Sequence, residues 1–209
     1  MNSSKKVALI GGGGHASSLL AFYPEPEGIC GYVDFTPGAA VDCPYLCDDP
    51  TFIRDYSPED YEILVTYVSG SDCSLKNRRK IIELYKNYTS PVVVAPTAWV
   101  APTSQLEGGA MIMTRAVVNA NARIGAHSVV NTGAIVEHDC KIGSNVFIGP
   151  GAVLCGAVEV EPDAYIGAGA VIRPGVKICS GAMIGLGTVI GKDIKEPGTY
   201  FGIPARKIS

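Results

Sequence analysis

The sequence has few histidines, little tryptophan and no excess of positive charge. It contains three histidines and one tryptophan in 209 residues, and its formal net charge is -3. A chain without a basic excess offers no broad positive field to nucleic acid or to an anionic membrane surface, so a nucleic-acid-binding role is not expected. The sequence also lacks long apolar runs. The first apolar stretch, at residues 7–10, ends at glycines. We therefore expect neither a secretory leader nor a membrane-spanning helix.

Cysteine and histidine are too scattered for a disulfide framework or a metal site. The seven cysteines are odd in number, and no second pair or nearby histidine completes the metal-like spacing of Cys43 and Cys47. A zinc site of three histidines would need His15, His127 and His138, but His15 belongs to a different predicted domain. We expect reduced thiols, a cytoplasmic protein and no metal.

The dominant feature that the sequence does contain is a large aliphatic residue at every sixth position. The series is unbroken and has sixteen members: Val100, Leu106, Ile112, Val118, Ile124, Val130, Val136, Ile142, Ile148, Leu154, Val160, Ile166, Ile172, Ile178, Ile184 and Ile190. A period of six fits neither an amphipathic helix nor an alternating strand. It is typical of a parallel β-helix built from hexapeptide repeats.

In such a β-helix each hexapeptide supplies one short flat strand and one corner, and three of them make a coil. The aliphatic side chain points into the prism, and a small residue fits where the chain turns. Sixteen hexapeptides make a little over five coils, which gives a prism about 25 Å tall at the spacing of paired strands. Because packed aliphatic side chains occupy the interior, function must lie on the outside.

A different pattern precedes the repeats. A buried strand runs into the motif G-x-G-x-x-A, formed by Gly11, Gly13 and Ala16, and a helix follows. This arrangement can receive a phosphate. A second strand ends at Asp34, where a Rossmann carboxylate would meet a ribose. The space before the repeats suits one βαβαβ half and one nucleotide. A nicotinamide-binding module of an oxidoreductase and a bare tight turn are the alternatives.

The sequence after the second strand predicts the remaining strands and helix of this α/β region. Residues 36–58 are rich in Pro, Asp and Gly and are interpreted as irregular, with room for one short strand or helix. A strand is predicted at residues 61–68, a loop at 69–71, an amphipathic helix at 75–88 and a last strand leaving the domain at 91–96. The basic residues of the helix are expected to form a solvated face, with contact to a substrate phosphate as the alternative: Lys76, Arg78, Arg79 and Lys80.

These patterns divide the chain into three parts. Residues 1–95 are predicted to form an α/β half-Rossmann domain, and residues 96–195 an all-β parallel β-helix. Residues 196–209 are predicted to form a tail that caps the open edge of the last coil.

One hexapeptide, at residues 136–141, is unusual for a purely structural role. It holds His138 between Glu137 and Asp139 at an outward corner. A carboxylate that accepts a hydrogen bond from one imidazole nitrogen fixes the tautomer and leaves the other nitrogen free as a base. The alternative is a solvated polar corner.

Several segments together resemble one family. They are Gly-Gly-Gly-Gly-His-Ala after the first strand, the unbroken hexapeptides, the run from Asn to Cys at residues 131–140, and Gly-Ile-Pro-Ala-Arg at 202–206. They are similar to the nucleotide-amino-sugar N-acetyltransferases of the PglD and NeuD type, over nearly the whole chain. The resemblance implies a left-handed β-helix, a homotrimer, acetyl-CoA in the groove between neighbouring chains and a sugar nucleotide on the N-terminal domain.

The resemblance also implies roles for single residues. His138 would be the general base, Asp139 or Glu137 would orient it, and Asn131 would be its partner in the same site. A backbone N–H of the β-helix near Gly156 would stabilise the oxyanion. The positions expected to contact the phosphates and ribose of the substrate are Gly11, Gly13, Gly14, His15 and Asp34.

The chain departs from the family at two positions. Some members have a second acidic residue where this chain has Phe35, which leaves the identity of the nucleotide open. Relatives have a second histidine at the coenzyme-contacting position that Phe147 occupies here, so any polar contact made there is absent. Lys192 and Arg206 are candidates for binding the phosphates of the coenzyme, with a solvated surface as the alternative.

The expected activity is acetyl-CoA-dependent N-acetylation of a nucleotide-linked amino sugar, with a UDP-4-amino-4,6-dideoxy sugar as the favoured acceptor. Transfer is expected to be direct, without an acyl-enzyme. Two alternatives have the same fold: a sugar O-acetyltransferase that uses the same base on a hydroxyl, and a non-catalytic nucleotide-binding trimeric scaffold.

Overall fold

The N-terminal part of the protein is a parallel α/β sheet. The computed structural model describes residues 5–23, 28–38, 41–68 and 74–209, so the predicted loop at 69–71 lies outside the described residues. The elements are β1 (Lys6–Ile10), α1 (Gly14–Leu20), β2 (Ile29–Val33), β3 (Tyr45–Cys47), α2 (Asp49–Asp55), β4 (Tyr61–Val65) and α3 (Lys76–Leu84). The strand order is β3-β2-β1-β4. The segment predicted to hold one short element therefore contains both a strand and a helix.

Strand β1 is apolar from Val7 to Ile10 because both of its faces are covered there. Val7 and Leu9 pack in one cluster with Leu19 of α1, whereas the alternate residues Ala8 and Ile10 pack in another with α2 and α3. Strands buried on both faces read as continuous apolar runs, which is how the sequence shows this one. Among the described residues, no helix is both long and apolar enough to cross a bilayer.

A parallel β-helix follows, as the six-residue period predicted. Its strands are β5 (Val93–Val94), β6 (Trp99–Val100), β7 (Gln105–Leu106), β8 (Met111–Ile112), β9 (Val117–Val118), β10 (Arg123–Ile124), β11 (Val129–Val130), β12 (Ile135–Val136), β13 (Lys141–Ile142), β14 (Phe147–Ile148), β15 (Val153–Leu154), β16 (Glu159–Val160), β17 (Tyr165–Ile166), β18 (Val171–Ile172), β19 (Lys177–Ile178), β20 (Met183–Ile184), β21 (Val189–Ile190), β22 (Thr199–Phe201) and β23 (Arg206–Lys207).

Three sheets form the sides of the prism. Face 1 has the order β5-β8-β11-β14-β17-β20-β22-β23, face 2 the order β6-β9-β12-β15-β18-β21, and face 3 the order β7-β10-β13-β16-β19. Each coil takes 18 residues, as when Ile135 pairs with Val117 and with Val153. A residue therefore lies directly over the residue 18 positions earlier in the chain.

The predicted aliphatic series fills the interior. Its members from Ile112 to Ile190 are at most 4% exposed. The second residue of several corners adopts a left-handed φ of 54–65°, although it is not glycine: Arg115, Asn121, His127, Asp139, Asn145, Ala157 and Asp163. Asn and Asp tolerate this conformation better than most side chains.

The prediction for residues 91–96 was wrong in one respect. Val93 and Val94 do not complete the N-terminal sheet, because they pair with Met111 and Ile112 of the β-helix. The physical reason is the period itself: Val94 stands six residues before Val100 and so continues the aliphatic series by one step.

The N-terminal sheet lies against the outer side of face 1. Leu9 and Leu64 share an apolar cluster with Met111, Val129 and Phe147. Helix α3 contacts the corner between faces 3 and 1 through two arginines that were predicted to be solvated. Lys76 and Lys80 are exposed as expected, but Arg78 is only 1% exposed, and Arg79 forms an ion pair of 2.7 Å with Asp163. The prediction was wrong for Arg78 and Arg79 because α3 packs against the β-helix as well as against the N-terminal sheet.

Candidate active site

The corner between faces 2 and 3 presents an imidazole and a carboxylate. His138 Nδ1 lies 2.8 Å from Asp139 Oδ2, and both side chains are more than half exposed. Asn121, one coil earlier in the same corner, donates from Nδ2 to Asp139 Oδ1 at 3.1 Å. The hydrogen bond with His138, followed by that from Asn121, lowers the pKa of Asp139. The Asp139 carboxylate is thus ionised and hydrogen-bonded to Nδ1 of the imidazole. This leaves Nε2 as the free nitrogen of His138.

The imidazole of His138 lies over Gly156, one coil further along the same corner. A Cβ on Gly156 would come within 2.6 Å of both Cε1 and Nε2 of His138, so a side chain there would displace the imidazole from this position. The neighbouring Ala157 N–H donates to His138 O at 2.8 Å. The N–H of Gly156 itself has no acceptor among the described residues. A basic nitrogen and a free backbone donor therefore stand beside each other at the surface.

Glu137 does not contact the imidazole. Its Oε2 accepts a hydrogen bond of 2.9 Å from Asn119 Nδ2, at the edge of face 2. Of the two carboxylates that the sequence left open as partners of His138, the structure places Asp139 at hydrogen-bond distance.

The structure does not bring Asn131 and His138 together within one chain. Asn131 precedes the corner between faces 1 and 2, where its Oδ1 accepts from Thr132 N at 2.7 Å. Strand β12 then crosses face 2, and His138 follows at the opposite edge. Seven residues of sequence span a whole side of the prism, so one chain cannot place both in one site.

The glycine turn after β1 forms a second candidate site. Gly11 has φ +104°, and a Cβ there would meet Tyr67 N at 2.7 Å, whereas Gly13 and Gly14 face open space. Asp34 stabilises the turn by accepting hydrogen bonds from Gly12 N at 3.0 Å and from Phe35 N at 2.8 Å. Both oxygens of Asp34 therefore already have backbone donors. Phe35 is 85% exposed beside it.

Two histidines lie away from the His138 corner. Burial, followed by the charge of Arg78, lowers the pKa of His15 to about 4, and burial lowers the pKa of His127 to about 4 as well. The buried atoms His15 Nε2 and His127 Nδ1 have no hydrogen-bond partner among the described residues. His127 lies at the corner between faces 3 and 1, its ring against Gly109.

The candidate coenzyme residues have different surroundings. Phe147 is 7% exposed and stacks on Tyr165 with centroids 5.0 Å apart, beneath the N-terminal sheet. This position favours packing over contact with a coenzyme. Lys192 is exposed at the same corner as His138, three coils further along, or about 14 Å at the spacing of paired strands. Arg206 is exposed on β23, at the end of face 1.

Face 2 carries an apolar outer column that the described residues leave partly open to solvent. Its members are partly or largely exposed: Trp99, Val117, Ile135, Val153, Val171 and Val189. Face 3 instead carries ion pairs of Glu159 with Lys141 and with Lys177, at 3.0 and 2.9 Å. The uncovered apolar side thus lies between the corners of His138 and Asn131.

Sequence reasoning missed Asn121, Asn119 and Arg78. The two asparagines could have been found, because an 18-residue coil places Asn121 over Asp139 and Asn119 over Glu137. Arg78 could also have been found, because it lies three residues after Leu75 and four before Ile82, on the buried side of α3. Among the described residues, no three His, Cys, Asp or Glu side chains converge as a metal site.

Comparison with known proteins identifies relatives of this chain. The family model for the bacterial transferase hexapeptide (six repeats) matches residues 121–156 and 157–192. The acetyltransferase domain of PglB from Neisseria gonorrhoeae is 30% identical with a TM-score of 0.90, over 98% of this chain and 100% of that one. Its structure in complex with acetyl coenzyme A is 31% identical with a TM-score of 0.88, over 99% and 100%.

A second relative has been solved with both of its ligands. A histidine-to-asparagine mutant of perosamine N-acetyltransferase from Caulobacter crescentus, in complex with CoA and GDP-perosamine, is 28% identical with a TM-score of 0.85, over 99% of this chain and 98% of that one. A search of curated protein sequences gives no match. Identity of 30% over nearly the full length of both chains, together with the hexapeptide match, shows that this chain belongs to the PglD/NeuD-type nucleotide-amino-sugar N-acetyltransferases.

Proposed function

We propose that this protein transfers the acetyl group of acetyl-CoA to the amino group of a nucleotide-linked amino sugar. One observation carries the proposal: His138 is held by Asp139 through Nδ1, and its free Nε2 lies over Gly156 at an outward corner. Family membership and the relatives solved with CoA and a nucleotide-linked amino sugar support it.

The reaction needs a base and an oxyanion donor side by side. The neutral amine attacks the thioester carbonyl, a C–N bond forms, and His138 Nε2 takes the proton that the nitrogen releases. The Gly156 N–H donates to the oxyanion while it exists. The C–S bond then breaks, and the imidazolium returns the proton to the sulfur to give CoA thiol. Asp139 stabilises the imidazolium in between.

We infer direct transfer, without an acyl-enzyme. Binding both substrates in one site supplies much of the rate by orientation. Cys140, next to the catalytic pair in sequence, is fully buried, and burial raises the pKa of its thiol to about 11. A thiol that stays protonated and enclosed is a poor nucleophile.

The site is complete only in an assembly, and we propose a homotrimer. The His138 corner lies between faces 2 and 3, opposite face 1 and the N-terminal sheet that covers it. A sugar nucleotide on the glycine turn would therefore be delivered to His138 of a neighbour. Burying the apolar column of face 2 against neighbouring chains would bring Asn131 of one chain toward the His138 corner of the next. Left-handed winding of the β-helix, as in the family, is part of this proposal.

The three parts of the chain would then have separate tasks. Residues 1–95 would bind the sugar nucleotide, with Gly11, Gly13, Gly14 and His15 at its phosphates and Asp34 near its ribose. Residues 96–195 would bind acetyl-CoA along the His138 corner, and residues 196–209 would cap the prism. The exposed cations Lys192 and Arg206 would meet the coenzyme phosphates. We place the reaction in the cytoplasm, in keeping with the absence of disulfides among the described cysteines.

The decisive experiment measures acetyl-CoA consumption with UDP-, dTDP- and GDP-linked 4-amino sugars. We expect turnover with one of them, with the UDP sugar favoured, and a product whose acetyl group survives mild base. A base-labile acetyl group would indicate the O-acetyltransferase instead. If acetyl-CoA does not bind in a titration and there is no turnover, the non-catalytic scaffold would be the remaining interpretation.

A further inference from the structure

Arg78 is a fully buried cation that joins the two folded parts of the chain. Its Nε donates to Tyr67 O at 2.9 Å and its Nη2 to Val65 O at 3.1 Å, both at the end of β4. Its Nη1 donates to His127 O at 2.6 Å and to Asn145 Oδ1, in the β-helix. Burial lowers the pKa of Arg78 to about 9, so it remains cationic at neutral pH.

The end of β4 is bonded in turn to the glycine turn. Tyr67 N donates to Ile10 O at 2.9 Å, and Thr66 Oγ1 donates to Gly11 O at 2.6 Å. Tyr67 also closes the space behind Gly11. A shift of the Val65 and Tyr67 carbonyls would therefore move the turn that faces the nucleotide phosphates.

The partners of Arg78 in the β-helix are equally fixed. His127 and Asn145 are the second residues of successive corners between faces 3 and 1. Asn145 is 0% exposed, and its Nδ2 donates to Asp163 Oδ1 at 2.7 Å. None of the four oxygens bonded to Arg78 belongs to a carboxylate. Burying a charge among neutral partners lowers the stability of the fold. The planar guanidinium, however, fixes both the direction and the length of the hydrogen bonds that it donates.

We propose that Arg78 is a positioning residue for acetyl transfer, which sets the glycine turn at a fixed place on the β-helix so that the bound sugar's amine reaches the thioester. This inference rests on the proposed function. Arg78 would touch neither substrate and would act through the β4 end. A misplacement of a reacting group by about 1 Å can lower the rate on the order of 10²-fold. A small shift of the glycine turn relative to the β-helix would therefore be enough to slow acetyl transfer.

The test compares Arg78→Met with Arg79→Met. Arg79 lies on the same helix and also bonds to the β-helix, through Asp163 and Ser144, but it does not touch the end of β4. At saturating substrates we expect kcat of R78M to fall about 10- to 100-fold, while R79M stays within about 3-fold. The Kd of acetyl-CoA should stay within about 2-fold in both, because the proposed coenzyme site lies at a different corner, on the other edge of face 3.

Asn145→Gly provides a second variant if R78M does not fold. Glycine accepts the left-handed φ of 54° at this position and removes one acceptor of Arg78. We expect kcat to fall about 3- to 10-fold with the coenzyme Kd unchanged. Wild-type kcat in either folded variant, or an equal loss in R79M, would overturn the role of Arg78. Absence of turnover in the wild type on every nucleotide sugar would instead contradict the proposed function.

Discussion

His138 Nε2 lies 2.6 Å from the place where a side chain on Gly156 would begin. We therefore expect Gly156→Ala to displace the imidazole and lower kcat about 10- to 10³-fold, because base and oxyanion donor would no longer face one reacting centre. The imidazole is exposed and can rotate away, so the urea midpoint should change little. Gly191→Ala, at a glycine with open space around it, is the control and should keep wild-type kcat.

Replacement of the base itself should separate chemistry from binding. His138→Ala is expected to lower turnover by on the order of 10² to 10⁴ while both ligands still bind. Steady-state rates together with titrations of acetyl-CoA and the nucleotide sugar check this. Wild-type turnover would remove His138 from the mechanism.

Asp139 and Glu137 should differ in effect, because only Asp139 bonds to the imidazole. Asp139→Asn keeps a residue that tolerates the left-handed φ of 61° but removes the charge that stabilises the imidazolium. We expect kcat to fall about 10- to 100-fold. Glu137→Gln should have a clearly smaller effect in the same assay. The reverse order would assign the orienting role to Glu137.

Complementation tests whether the site is shared between chains. His138→Ala and Asn131→Ala should each be impaired as homotrimers. Chains mixed by co-expression should regain about a quarter of wild-type sites, since random assembly unites an intact His138 with an intact neighbouring Asn131 at that frequency. If the mixture is no more active than the two separate variants, Asn131 and His138 do not act across an interface.

Acid should destabilise the fold through two partly buried histidines. His15 and His127 have folded pKa values of about 4, below the ordinary value of 6.5. The unfolded chain therefore binds more protons between these limits, and stability is lost as pH falls from about 6.5 toward 4. Between pH 7 and pH 5 the loss should be on the order of 2–4 kcal/mol for the two together.

Urea midpoints at pH 7 and pH 5, at one protein concentration, measure this loss. The matched control is the double variant His15→Gln with His127→Asn, in which neither side chain titrates and Asn suits the left-handed φ of 57°. Its midpoint should change much less between the two pH values. An equal change would assign the acid sensitivity to other groups.

The β-helix could be predicted in detail because its period repeats one packing rule at every step. Each inward aliphatic side chain is buried where the series places it, from Ile112 to Ile190. The same rule, applied once more, would have included Val94 in the prism. The strand and glycine turn of the N-terminal sheet could also be predicted, because a strand covered on both faces leaves a continuous apolar run.

The sequence by itself determined the coil, its corners and the adjacency of His138 and Asp139, because these depend on spacing along one chain. Only the tertiary structure decided how the N-terminal part meets the β-helix, with Phe147 beneath the N-terminal sheet and Arg78 buried between α3 and the β-helix. The physical reason is that burial and hydrogen bonding depend on which surfaces come together. Helical spacing places Arg78 on the apolar side of α3, but only the fold shows that the β-helix covers this side chain.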